Sequence, residues 1–161
     1  MAKTVIDNEQ VVRPEWQEWL RIVGYGAFIG VVYYIAMLIF NRYVVEPLTC
    51  RTVVDATACV TAPALAGQLV TVVAAMVALV GMIRLAFARP IIVAVTAGVL
   101  LWNLGAWTVG LAWWEAFGWS IGLYALVYGL FGWIVRQSNL LFAIIISIVL
   151  VLAINVTLIL A

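Results

Sequence analysis

The residues best suited to chemistry in this chain are Cys50 and Cys59, in the stretch PLTCRTVVDATACVTAP. A thiol pair can close a disulfide that staples a short segment, or it can cycle between thiol and disulfide as a redox catalyst. Redox catalysts commonly space the pair as Cys-x-x-Cys, so that the second thiol resolves the attack made by the first. Here eight residues separate the two, and the chain has no further cysteine to relay electrons onward. Arg51, next to Cys50, would favour a thiolate, but one adjacent charge does not make a redox centre. The favoured reading is a structural disulfide, with a thiol-redox membrane enzyme and free or intermolecular cysteines as lesser alternatives. A bridge over a loop of this size stabilises by about 2–3 kcal/mol in chain-entropy terms.

Little else in the sequence looks catalytic. The chain contains no His, which removes the commonest metal ligand and the commonest general base near neutral pH. Two cysteines are too few for a typical zinc site without His. No nucleophile–base pair and no phosphate-binding glycine loop is visible, so the sequence predicts no catalytic residue, no metal and no cofactor. A net charge of +1 argues against strong non-specific binding to nucleic acid.

The remaining polar candidates are neutral and lie within apolar segments: Tyr33, Tyr34, Gln68, Thr71, Thr96, Asn103, Tyr124, Tyr128, Ser147 and Asn155. An amide in lipid is costly unless another helix answers it. Interhelical hydrogen bonding is therefore the first reading. The second is the lining of a ligand or ion path by Gln68, Asn103, Tyr124, Tyr128 and Asn155. Asn155-Val156-Thr157 matches a glycosylation sequon but sits within or at the edge of an apolar segment, and is discounted. Arg42 and Glu46 are four apart, the spacing of a rim ion pair if helix runs that far.

Two small-xxx-small patterns, Gly26–Gly30 and Gly118–Gly122, let helix backbones approach closely. Gly129, seven residues after Gly122, would extend such a groove. Packing inside the bundle is the first use expected of these glycines, and a seam between subunits the second. Trp107, Trp113, Trp114 and Trp119 cluster with Phe117. The plain reading is a belt at a membrane boundary. The sharper one is an aromatic cavity for a lipid-like small molecule.

The elements that must position these groups follow from composition. The chain of 161 residues is 68% hydrophobic and 9% charged, against about 45–50% and about 25% in soluble domains. The excess must face lipid. Five segments reach the roughly 20 apolar residues a spanning helix needs: 22–40, 64–83, 91–111, 116–135 and 140–160. As one straight helix the stretch 90–135 would run about 69 Å, so the chain must turn back, and Glu115 within WWEAFG marks the place. A four-span arrangement with one re-entrant segment is the alternative. The residues between the first two spans, 41–63, are read as an outer loop.

Basic residues set the expected orientation. With the N-terminus cytoplasmic, Lys3, Arg13, Arg21, Arg84, Arg89 and Arg136 lie inside, and only Arg42 and Arg51 lie outside. Five spans then place the C-terminus outside. The polar N-terminus lacks the pattern of a signal peptide, and no soluble domain is expected after the last span. Residues 1–13 read as a cytoplasmic tail and 14–161 as a single transmembrane domain. RPEWQEWLR, at 13–21, is a boundary helix, or the entry of a longer first helix.

The expected protein is an all-α integral membrane bundle of five transmembrane helices, in a bacterial plasma (inner) membrane. It acts by association, as an accessory or scaffold subunit or as a homo-oligomer. Its expected partners are membrane lipids and a second copy or another membrane protein. The alternative is a transporter or channel for a small neutral or apolar molecule.

Overall fold

The computed structural model describes residues 15–52, 56–87 and 89–137, together with residues 145, 148 and 149. The tail 1–13, most of the expected span 140–160, and Asn155 with it, lie outside the described residues. Every described element is helical: α1 (Glu15–Phe40), α2 (Glu46–Thr52), α3 (Ala56–Arg84), α4 (Pro90–Leu100), α5 (Leu104–Trp107) and α6 (Trp113–Gln137).

Among the described residues, four helical segments are long and apolar enough to cross a membrane: Trp16–Cys50, Thr61–Arg84, Pro90–Trp107 and Trp113–Val135. They close into a ring in which α1 packs on α6 and α3, and α4 packs on α3 and α6. The tight connections make neighbours antiparallel, an up-down-up-down bundle. The contact between α1 and α6 is the most extensive.

Spacing explains the packing. On α3 the buried residues Ala62, Ala66, Val70, Ala74, Ala78 and Met82 recur every four positions, which stacks them along one face of a helix. Most are small, so neighbouring helices come close. On α6 the buried stripe is Ala116, Ser120, Tyr124, Val127, Tyr128, Phe131 and Val135. The opposite faces are apolar as well: Leu69, Val73, Met76, Val80 and Ile83 of α3 are all exposed. A helix that is apolar all round needs a non-aqueous surrounding. This outward apolarity is the physical case for a membrane.

The reading of 41–63 as a loop is corrected. Helix runs on from Phe40 through a π segment, Asn41–Val45, into α2, and α3 already begins at Ala56. The hydrogen-bond register slips just ahead of Pro47, which has no N–H to give, and the Glu46 N–H reaches back to the Asn41 carbonyl. Polar composition was the misleading signal, because a solvated helix is polar too. Arg42 and Glu46 pair at 3.3 Å, and both are exposed. Trp16–Cys50 is about 52 Å long at 1.5 Å per residue, against a hydrocarbon core of ~30 Å.

The third span is also corrected. It is not one helix over 91–111. Hydrogen bonding tightens to three-residue steps at its middle, from Trp102 N–H to the Val99 carbonyl and from Leu104 N–H to the Leu101 carbonyl. The chain then resumes as α5 and turns again before α6. Glu115 lies in the first turn of α6 and accepts a hydrogen bond from the Ala112 N–H at 3.2 Å, as in a capping box.

The turn between α3 and α4 is a Schellman motif. The Phe87 N–H donates to the Met82 carbonyl at 3.0 Å, and the Ala86 N–H to the Ile83 carbonyl at 3.1 Å. Ala86 takes the left-handed position, with φ 53°, where glycine is usual. Arg89, also at φ 53°, then delivers Pro90 to the first position of α4, which suits its fixed φ.

Candidate functional site

Hydroxyls first show what is left over for function. Thr71, Thr96, Thr108 and Ser120 each donate to the carbonyl four residues back, at 2.6–3.1 Å. These donors are used up within their own helices. Interhelical polar chemistry therefore falls to the amides and phenols.

The amides meet at the break in the third span. Gln68 Nε2 of α3 donates to Asn103 Oδ1 at 3.4 Å. Gly67 and Gly105 bring the two backbones together there. A Cβ built on Gly67 would stand 2.7 Å from the Gly105 Cα, so neither position has room for a side chain. The pair does not point into the bundle: Asn103 is exposed and Gln68 is half-buried. Gln68 lies about 24 Å along α3 from Arg84, within the span of a bilayer core measured from that end. Each amide offers two donors and one acceptor, and one long hydrogen bond uses little of that capacity.

The phenols form a column through the core. Ring centroids lie 5.2 Å apart for Tyr33–Tyr124, 6.1 Å for Tyr124–Tyr128 and 6.5 Å for Tyr25–Tyr128. At one end the Tyr25 hydroxyl donates to the Ala78 carbonyl at 3.2 Å. The hydroxyls of Tyr33 and Tyr124 are buried beside Thr71, and among the described residues neither makes a hydrogen bond of good geometry. Off the column, Tyr34 donates to the Trp113 carbonyl at 2.9 Å and ties α1 to the start of α6.

Cys50 and Cys59 are bonded, with Cα atoms 5.2 Å apart. The bridge joins α2 to the first turns of α3 and fastens the tip of a helical hairpin. The expected glycines divide into two sets. Gly26 and Gly30 are buried against α6, where a Cβ would stand 2.8 Å from the Tyr124 and Ser120 carbonyl oxygens respectively. Gly129 faces Val23 of α1. Gly118 and Gly122 are exposed, and among the described residues nothing lies within 4 Å of a built Cβ at either. The aromatic cluster is spread over the surface: Trp107, Trp113, Trp114 and Trp119 are all exposed. Trp113 and Phe117 border a shallow groove with Tyr34 and Leu38 of α1.

Sequence reasoning did not single out Gly67, Gly105 or Gly81. Gly81 leaves room for the Tyr25 ring. Isolated glycines in apolar helices were the available signal. It also missed a cavity of about 600 Å³ at the basic end of the bundle, between α1 and the α3–α4 turn.

Fold and site together define a helical bundle built for a non-aqueous surrounding, with a polar break in one helix and no thiol left free among the described residues. No protein-family model, curated protein or solved structure matches the chain.

Proposed function

We propose that the protein is a small polytopic membrane protein that acts by association, as a homo-oligomer or as an accessory or scaffold subunit. In this reading the N-terminus is cytoplasmic, the disulfide hairpin lies outside, and the membrane is a bacterial plasma membrane. Residues 140–160 supply a fifth span. The observation that carries the proposal is the Gln68–Asn103 pair, held at a helix break on the outside of the bundle. Unsatisfied amide groups and irregular backbone are poorly tolerated against hydrocarbon. A second helix surface laid over this face would supply the missing partners. An amide carries both donors and an acceptor, so a second copy of the same face is chemically self-complementary.

The test is native mass spectrometry of the protein extracted gently from its own membrane, repeated with Asn103→Leu. A defined oligomer or a stoichiometric partner that dissociates in the variant is the expected result. A bare monomer in the wild-type spectrum would overturn the reading.

Transport of a small neutral or apolar molecule is the second reading, and the break also favours it. Interrupted helices at membrane depth commonly line substrate sites, and the tyrosine column leads from this region toward the cavity at the other end. Liposome flux that is lost in Asn103→Leu, with the assembly state unchanged, would put transport ahead of association.

A further inference from the structure

The cavity at the basic end belongs to neither the amide pair nor the disulfide. It holds about 600 Å³, within the usual range for small-molecule sites. Its body is apolar and aromatic: Ile22, Tyr25, Met82, Leu85 and Phe87 line it. Tyr25 and Phe87 meet with ring centroids 6.3 Å apart. The Schellman turn is what brings Phe87 beside Met82, because it folds the chain back over the end of α3.

The lip is charged. Arg21 lines the cavity from α1 and is exposed, and among the described residues no carboxylate pairs with it. Glu18 lines the same lip and has an interaction partner of its own within the fold. Arg84 and Arg89 flank the turn that forms the far wall, and both are exposed. Among the described residues the lining thus holds one guanidinium, Arg21, and one carboxylate, Glu18, which has its own partner, with Arg84 and Arg89 on the adjoining turn. An apolar body of this volume below a cationic lip complements an amphiphile with an anionic head.

We propose that this cavity binds an anionic phospholipid, with the phosphodiester on Arg21 and part of an acyl chain between Tyr25, Met82 and Phe87. A guanidinium suits phosphate because it offers a planar fork of donors. The depth agrees: a cavity whose mouth carries Arg21 and whose floor is apolar lies where a lipid changes from head to chain. The proposal rests on the membrane placement and is independent of the association reading.

The experiment uses the full chain in nanodiscs of phosphatidylcholine doped with phosphatidylglycerol, with retained lipid counted by native mass spectrometry. Wild type is expected to keep phosphatidylglycerol in preference to phosphatidylcholine. Arg21→Gln should lower that preference by about tenfold, the loss of one charge-assisted contact. Leu85→Trp, at an exposed position on the lip, should block retention of both lipids. Both variants lie on the surface, and unchanged helical circular dichroism would show that the fold is kept. Equal retention of the two lipids by wild type would overturn the proposal. So would an unchanged preference in Arg21→Gln, or undiminished retention in Leu85→Trp. Because the readout is bound lipid rather than stoichiometry of the protein, a monomer that retains phosphatidylglycerol sinks the association reading and leaves this one standing.

Discussion

Single residues here act mainly by what their polar atoms can reach. The Cys50–Cys59 bridge joins two helices across a short connection, so its removal should loosen the hairpin and leave the bundle. Replacing both, Cys50→Ser with Cys59→Ser, is expected to lower stability by about 2–3 kcal/mol, read as an earlier thermal midpoint. Association should persist; loss of function at an unchanged midpoint would point back to thiol chemistry. Tyr124 presents the opposite case. Its hydroxyl is buried beside Thr71 with no well-formed hydrogen bond among the described residues, and an unsatisfied buried donor costs about 1–3 kcal/mol. Tyr124→Phe should therefore leave stability unchanged or raise it by about 1 kcal/mol. A clear fall in the unfolding midpoint would mean that the hydroxyl is answered in the membrane.

Helices in this protein are positioned by where they lack side chains. Gly26 lets α1 lie against the backbone of α6, so Gly26→Ala forces the two helices apart. Overpacking of this kind costs about 1–3 kcal/mol, and a fall of that size in denaturant or thermal unfolding is expected. Gly122→Ala, on an open face of α6, should leave unfolding unaltered. If it shifts the oligomer distribution instead, that face is a subunit seam. The α3–α4 turn gives a test of opposite sign. Ala86 holds a left-handed conformation that costs an L-residue roughly 1–2 kcal/mol and glycine nothing. Ala86→Gly should raise stability by about 1 kcal/mol, less the extra freedom glycine has when unfolded. A destabilised variant would show that the Ala86 methyl packs against the cavity lip.

At the scale of the whole molecule, charge asymmetry sets the expected orientation. Arg21, Arg84 and Arg89 lie at one end of the bundle and the disulfide hairpin at the other. In the proposed orientation, which follows the positive-inside bias, the first end faces the cytoplasm. In a chain with both cysteines replaced by serine, Leu48→Cys should react with a membrane-impermeant maleimide in intact cells. Leu85→Cys should react only after permeabilisation. The reverse pattern would invert the topology and place the phospholipid cavity in the other leaflet.

Much of the architecture was legible because it depends on composition and local spacing. An apolar chain with few charges must surround itself with lipid. The need for a turn back within 90–135 followed from helix length against bilayer thickness, although the turn lies at 108–112 and Glu115, expected to mark it, is already in the first turn of α6. The Arg42–Glu46 pair followed from a spacing of four. Local signals failed where two elements share a decision. Residues 41–52 are polar yet helical, since their backbone bonds close within the helix whatever solvent lies outside. The third span breaks near Asn103, where Gly67 meets Gly105 and Gln68 meets Asn103, and those partners are far apart in the chain. The same holds for the glycines. Spacing alone made Gly26–Gly30 and Gly118–Gly122 equivalent, and only packing put the first pair inside and the second outside. Sequence determined that this chain forms apolar helices, because each helix satisfies its own backbone. Tertiary structure decided which faces, polar groups and cavities remain for function, because those depend on what stands opposite.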